Sequence, residues 1–341
     1  SGLITSVHAF ASDPNRGIFI LVILGLSSGI PLLIYGLKKN TKNNVQFFLM
    51  SRETALLLNN IFLVIATVTI LIGTLYPLIL ELVNNSKISV GPAYYNRTFV
   101  PILIPFILIM AVAPFLSWGR WSKKIFFKKL IIFLCLTIIG TILFYFFKPS
   151  SIFALICASL SISVLMSVSL ELFDKFKPNK INPVNFRKRI YSLPKSFFGM
   201  ITAHLGLAVF LIGVTGEQFF KLDFEKKINI NDSFKLGQYE ILFTKVDKIT
   251  GPNYISESAE FNIFIDGAFI KKLNSEKRFY PVERNQTTEA GIVNSFFGDI
   301  YIVFGKGDKT TGWTIRAYLN PMVSWIWYGV SLMALGGLIS I

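Results

Sequence analysis

Residues 197–216 read FFGMITAHLGLAVFLIGVTG, an apolar run whose single ionisable side chain is His204. A helix needs about 20 mainly apolar residues to cross a bilayer. Comparable runs lie at 17–37, 56–80, 101–118, 130–147, 152–173 and 322–341. We therefore predict seven membrane-spanning helices in this chain.

The composition agrees with a membrane protein. Hydrophobic residues make up 52% of the 341 residues and charged residues 16%, whereas about 25% are charged in an ordinary soluble domain. The formal net charge is +15, but residues 217–316 carry 14 basic and 14 acidic side chains. The basic surplus therefore lies in loops between the apolar runs, which excludes a basic nucleic-acid groove. We expect membrane lipid, and no nucleic acid, as a partner.

The distribution of Lys and Arg predicts the orientation, because these residues concentrate in short cytoplasmic loops. The loops on one side carry 16 of them and the segments on the other side carry four. The basic loops are 38–54, 119–130 and 174–196. We therefore expect the N-terminus and the long insert 217–321 to face away from the cytoplasm.

The insert 217–321 changes from helical to strand periodicity. Phe261, Ile263 and Ile265 alternate with Asn262 and Asp266, and a similar alternation runs over Trp313–Leu319. Asp266-Gly267 is a dipeptide typical of tight hairpins. Ile300–Phe304 is a continuous apolar run of the kind found in buried strands. We predict a small antiparallel barrel or sandwich.

The predicted fold is thus an all-α polytopic membrane protein of about seven transmembrane helices, with an inserted extracytoplasmic all-β domain. We expect a transmembrane region of six spans over 1–216, the β domain over 217–321 and a final span over 322–341. Because the chain begins at Ser1 and its last apolar run reaches the final residue, we expect it to be part of a longer protein.

His204 is the strongest candidate for a functional residue. An ionisable side chain inside a span is costly and therefore indicates function. At about 100° per residue, Met200, Leu207 and Leu211 share its helix face. An apolar wall around one imidazole suits a haem, although a hydrogen bond to a neighbouring helix is the structural alternative. The adjacent face is made of small residues and predicts close approach of another helix; they are Gly199, Ala203, Gly206 and Gly213.

His8 is the second histidine, and it lies in the segment TSVHAFA at Thr5–Ala11. Asp13 and Pro14 follow it and favour a helix start. We expect His8 at the outer interface, where it is either a metal ligand or an ordinary exposed histidine.

Two other groups of residues have simpler interpretations. Glu171 lies at the end of a span, where a solvated carboxylate is usual. Trp325, Trp327 and Tyr328 begin the last span and are typical of an interfacial aromatic belt.

Several stretches together resemble the cytochrome c maturation protein F (CcmF) family, the haem lyase subunit of the cytochrome c maturation system. They occur in order at Leu3–Pro14 (LITSVHAFASDP), Ser89–Asn96 (SVGPAYYN), Gly199–Gly216, Gly251–Tyr254 (GPNY), Glu276–Ile292 and Trp313–Leu338. The resemblance implies a polytopic helical membrane protein with a periplasmic β domain.

The resemblance also implies roles for the two histidines. The histidine of the TAHLG-like segment, His204 here, would be an axial ligand of a resident haem b. The histidine of the TSVHAFA-like loop, His8 here, would be a catalytic residue that coordinates the incoming haem substrate. The family's Trp-rich motif and its other haem-ligating histidines have no counterpart in this sequence. The N-terminal half of the same protein is therefore an implied partner, and we expect this fragment alone to be inactive.

The implied function is a haem lyase that binds haem and attaches it covalently to the CxxCH thiols of apocytochrome c. The implied location is the bacterial inner membrane with the β domain in the periplasm, the mitochondrial inner membrane being the alternative. Further implied partners are the haem chaperone and thiol-handling subunits of the maturation system and apocytochrome c. A transporter of haem or a small solute and a non-catalytic scaffold of the maturation complex are the alternatives.

Overall fold

The computed structural model describes residues 14–37, 48–84, 88, 90–119, 123–148, 150–176, 191–282 and 284–341. The chain divides into two units, residues 1–46 and residues 47–341. The described part of the first unit is a single helix, α1 (Pro14–Leu37), which contains Pro31.

The second unit contains the other helices and all the described strands. Its helices are α2 (Arg52–Asn84), α3 (Pro92–Thr98), α4 (Val100–Val112), α5 (Lys123–Phe147), α6 (Ile152–Phe176), α7 (Lys195–Phe220) and α8 (Val323–Ser340). A single 3-10 turn, Ala113–Phe115, extends α4.

The apolar helices agree with the predicted spans in position but not fully in number. Helices α2, α5, α6, α7 and α8 are long and apolar enough to cross a membrane. The α3–α4 pair passes the same test as one span bent by 44°, at a point where Pro101 removes a backbone donor. Helix α1 contains only a shorter apolar helix, Gly25–Leu37. The described residues therefore give five spans, or six with the bent pair, where we predicted seven; the fold class is confirmed.

Helices α4 to α7 pack around a buried apolar cluster inside the bundle. Its members are Ile107, Ala111, Phe115, Phe126, Phe133, Leu160, Val164, Leu207, Ala208 and Leu211. The Ser161 hydroxyl of α6 donates a hydrogen bond of 3.1 Å to the Ala208 carbonyl of α7. Large apolar side chains on the outer faces of these helices are exposed, as expected where a helix faces lipid.

Glycine allows α7 and α8 to approach closely along their length. Gly206 of α7 lies against Gly329 of α8, and Gly199 lies against Gly336. A Cβ atom at Gly206 would lie 2.7 Å from the carbonyl O of Gly329, which is too close for any side chain. The predicted small-residue face of this span is therefore confirmed, and its partner is the last helix.

Arg52, the first residue of α2, links that helix to the end of α4 through hydrogen bonds. Arg52 donates from Nε to the carbonyl O of Leu116 and from Nη2 to that of Pro114, both at 2.7 Å. The same guanidinium lies 3.9 Å from the Glu171 carboxylate, and Glu171 is only 5% exposed. The prediction that Glu171 is solvated is therefore wrong. Its carboxylate is buried, and the Arg52 cation beside it compensates for the loss of water. We call Arg52, Glu171 and the two carbonyls the Arg52 clamp.

Residues 222–321 form a sandwich of two antiparallel sheets. The strands are β1 (Leu222–Ile228), β2 (Ser233–Leu236), β3 (Tyr239–Thr250), β4 (Ile255–Ile265), β5 (Ala268–Tyr280), β6 (Asn285–Glu289), β7 (Gly291–Asn294), β8 (Gly298–Asp308) and β9 (Gly312–Pro321). One sheet has the order β1-β9-β8-β7 and the other β2-β3-β4-β5-β6.

The core of the sandwich lies between the two sheets. The Phe243 ring stacks on Phe261 at 5.1 Å and meets Trp313 edge-on at 5.8 Å. The predicted alternation and the hairpin turn between β4 and β5 are confirmed. The run Ile300–Phe304 departs from the prediction of a fully buried strand. Its side chains alternate between the core and a half-exposed face, because the other sheet covers only one face of β8.

Very short connections join the sandwich to the membrane helices. Only Lys221 separates α7 from β1, and only Met322 separates β9 from α8. Met322 has a φ of 58°, a left-handed conformation that turns the chain sharply into the helix. The two helices that carry the sandwich are also the two that pack through glycine, so both of its attachments lie side by side.

Candidate functional site

His204 lies on α7, ten residues into a helix of 26 residues. Its Nδ1 is 2.9 Å from the carbonyl O of Met200, one turn earlier on the same helix. The ring also interacts with the backbone of Met110 on α4, which is the contact with a neighbouring helix that the structural alternative predicted. A histidine that donates from Nδ1 presents the lone pair of Nε2 to a metal.

The three wall residues predicted for His204 occupy two different environments. Leu207 and Leu211 are each 9% exposed and belong to the cluster between α4 and α7. Met200 is half-buried and packs against a second cluster, which contains Phe197 and Ile201 of the same helix. The leucines are thus covered by protein side chains, whereas Met200 shares the partial exposure of the His204 ring.

The surroundings of His204 fit a haem in their chemistry. The imidazole is held by its own helix through Nδ1, its neighbours on the helix face are apolar, and the ring is not fully buried. Within the residues that the structure describes, no group of three or more His, Cys, Asp or Glu could hold a bare metal ion. A lone histidine in apolar surroundings suits an iron that already has a porphyrin as its main ligand.

Comparisons with known proteins agree on one family. A family model described as the CcmF C-terminal beta-sandwich matches residues 220–321. The cytochrome c-type biogenesis protein CcmF of Pseudomonas aeruginosa is 36% identical over 99% of this chain and 51% of its own length. The CcmF of Escherichia coli is 33% identical over 99% of this chain and 51% of its own length. Residues 220–321 match the C-terminal domain of the CcmF family, and the chain as a whole is similar to CcmF proteins. It spans about half the length of these CcmF relatives.

A solved structure and a further relative are also similar to this chain. A solved structure of the cytochrome c haem lyase CcmF superposes with a TM-score of 0.65 at 22% identity, over 95% of this chain and 49% of that one. That likeness supports the shared fold. The cytochrome c-type biogenesis protein NrfE of Haemophilus influenzae is 29% identical over the whole chain and 52% of its own length. The segment matched by the CcmF family model coincides with strands β1 to β9, Leu222–Pro321.

His8 lies outside the described residues, so its role remains a prediction. The Arg52 clamp, in contrast, was not predicted from the sequence, where Arg52 is one of the basic residues of the loop 38–54. The one available signal was an Arg-Glu pair at the start of an apolar run. Its partners lie more than 60 residues away along the chain, and the sequence alone does not identify them.

Proposed function

We propose that this chain, together with the remainder of its CcmF-type protein, works as a haem lyase in cytochrome c maturation. It would hold a resident haem b through His204 and receive the incoming haem at His8, for attachment to the CxxCH thiols of apocytochrome c. The observation that carries the proposal is the position of His204. A half-buried imidazole lies on a membrane-spanning helix and is held through Nδ1 by the Met200 carbonyl, and it would bind iron through Nε2.

The residues of this chain would bind and orient, while the haem carries the chemistry. When bound, the resident haem supplies an electron carrier, and the substrate haem supplies two vinyl groups, across each of which a cysteine S–H adds to form a thioether. The hydrogen bond to Met200 fixes the rotation of the His204 ring. Met200 would exclude water from the exposed edge of the His204 ring. Leu207 and Leu211 would pack beneath the site in the buried cluster of the bundle.

We propose that the β domain lies in the periplasm of a bacterium and the basic loops in its cytoplasm. The haem chaperone, the thiol-handling subunits and apocytochrome c would then bind from the periplasmic side. Support comes from the charge bias of the loops. In a background with Cys135→Ala and Cys157→Ala, an impermeant maleimide should label Asn253→Cys in intact cells. It should label Lys124→Cys only after permeabilisation. The reverse pattern would contradict the orientation.

Separate variants of the two histidines test the haem assignments. In cells that also produce the remainder of the protein, His204→Gly should abolish the low-spin haem b spectrum, and free imidazole should restore it. Met200→Ala keeps the backbone carbonyl and should only perturb the spectrum. His8→Ala should leave this spectrum intact but sharply lower thioether formation, measured by covalent haem staining of a reporter cytochrome.

The outcomes separate the proposal from its alternatives. An unchanged haem content in well-folded His204→Gly protein would refute the resident-haem assignment. Full maturation by His8→Ala protein would refute the substrate assignment. Haem accumulation in sealed vesicles without thioether product would indicate a transporter, and loss of complex assembly with normal haem content would indicate a scaffold.

A further inference from the structure

The loop between β7 and β8, residues 295–297, is held by hydrogen bonds over the beginning of α8. The indole Nε1 of Trp325 donates a hydrogen bond of 2.9 Å to the carbonyl O of Phe296. The backbone N of Met322 donates one of 2.9 Å to the carbonyl O of Phe297. A loop of the extramembrane domain is thus held directly by the residues that start a membrane-spanning helix.

Two side chains of this loop, those of Phe296 and Phe297, are apolar and exposed. The Phe296 ring stacks on Tyr328 with centroids 5.8 Å apart and lies 5.4 Å from the Trp325 ring. Even so, Phe296 is 55% exposed and Phe297 is 70% exposed. Two adjacent exposed phenylalanines in one loop form an apolar patch that is costly in water and typical of a membrane or protein contact.

The expected depth of this loop in the bilayer follows from the geometry of α8. Tyr328 lies five residues beyond Val323, the first residue of the helix, which corresponds to about 8 Å along the helix axis. The Phe296 ring that stacks on Tyr328 is therefore level with the second turn of the span. Apolar groups of interfacial segments enter a bilayer to about this depth, roughly 5–10 Å.

A groove of about 450 Å³ continues from this loop along α7 and α8. Its lining is aromatic and aliphatic except for one serine, and comprises Val209, Phe296, Trp325, Tyr328, Ser331, Leu332 and Leu335. From Trp325 to Leu335 the groove extends about 15 Å along α8. That length equals roughly half of a 30 Å hydrocarbon core, which is the depth reached by an acyl chain in one leaflet.

We propose that Phe296 and Phe297 anchor the β domain in the membrane interface, and that an acyl chain of a bilayer lipid fills the groove below them. The groove is continuous with the lipid-facing surface of α8, where Trp327 is 70% and Leu338 is 67% exposed. With the one-residue connections at Lys221 and Met322, the anchor gives the sandwich a third attachment and fixes its tilt against the bilayer. This inference does not depend on haem binding.

Site-directed spin labelling of the complete protein in phosphatidylcholine vesicles tests both parts of the proposal. Nitroxides are attached to Phe297→Cys in the loop, to Ser331→Cys in the groove and to Lys309→Cys as control, in the Cys135→Ala, Cys157→Ala background. Lys309 lies in the exposed turn between β8 and β9, at the opposite end of β8. Accessibility to oxygen, which concentrates in lipid, and to a water-soluble nickel chelate is then measured.

We expect the labels at Phe297 and Ser331 to gain oxygen accessibility and to lose nickel accessibility relative to the label at Lys309. Nickel accessibility at Phe297 equal to that at Lys309 would place the loop in water and overturn the anchor. Low accessibility to both reagents at Ser331 would mean that polypeptide covers the groove, which would overturn the lipid assignment. Comparison of the spectra with and without Phe296→Ser gives a second test, since loss of the stacked ring should raise nickel accessibility at Phe297.

Discussion

The contact between Gly206 and Gly329 gives the sharpest test of the membrane packing. A Cβ atom at Gly206 would lie 2.6 Å from the backbone N of Met333, and one at Gly329 would lie 2.5 Å from the backbone N of Phe210. Carbon atoms in contact are normally about 3.5–4.0 Å apart. Because the obstructing atoms belong to the backbone and cannot rotate away, Gly206→Ala or Gly329→Ala must push α7 and α8 apart by about 1 Å.

The expected cost follows from two opposing effects. Overpacking of a well-packed interior costs about 1–3 kcal/mol, and a backbone obstacle favours the upper part of that range. Alanine is also about 1 kcal/mol better than glycine inside a helix. We therefore expect each variant to lower the free energy of unfolding by about 2 kcal/mol. Gly337→Ala on the same helix is the matched control, because a Cβ atom there meets open space.

Unfolding by sodium dodecyl sulfate in mixed micelles, followed by circular dichroism, measures these differences. The double variant Gly206→Ala, Gly329→Ala should lose less stability than the sum of the single variants, since one separation of the helices relieves both contacts. Single variants that match Gly337→Ala within about 0.5 kcal/mol would show that α7 and α8 do not pack at this distance, and would refute the reasoning.

Two further predictions concern charged groups. Arg52→Ala should lower the unfolding free energy by about 3–5 kcal/mol, because it leaves the buried carboxylate of the Arg52 clamp without its cation; the exposed Arg97→Ala should have little effect in the same micelle assay. In the β domain, Lys272 lies 2.5 Å from the Glu260 carboxylate, and its hydrogen bond lowers the pKa of that carboxyl. The stabilisation from this ion pair is fully present at a pH above the ordinary glutamate pKa. It is lost as the pH falls through the lowered pKa of Glu260. Lys272→Met should therefore melt below Lys271→Met at pH 7 but not in strong acid, and a gap that persists in acid would contradict the ion-pair account.

The features predicted correctly from the sequence are those with a local, periodic signal. Apolar runs predicted the five spans and the bent α3–α4 pair, and the alternation of Phe261 and Ile263 with Asn262 predicted a strand with one buried face. The single face of small residues on α7 also predicted a close helix partner. It did not identify that partner, because α8 lies more than 100 residues later, beyond the whole sandwich. The Arg52 clamp was missed for the same reason, since a charge at a span end has the same local sequence whether it is solvated or paired.

The candidate site shows what helix periodicity can and cannot predict. Periodicity predicted that His204, Leu207 and Leu211 share one face of α7, and the structure confirms it. Periodicity does not predict which neighbouring side chains cover that face. The two leucines are buried in the cluster formed by α4 to α7, whereas Met200 and His204 stay partly exposed. We therefore expect a haem at His204 to lie toward the Met200 end of that face, since access over the buried leucines would require opening the bundle core. Truncation of a buried leucine costs about 2–5 kcal/mol of stability. Leu207→Ala should thus act mainly on folding, whereas a change at Met200 acts on the surroundings of the histidine.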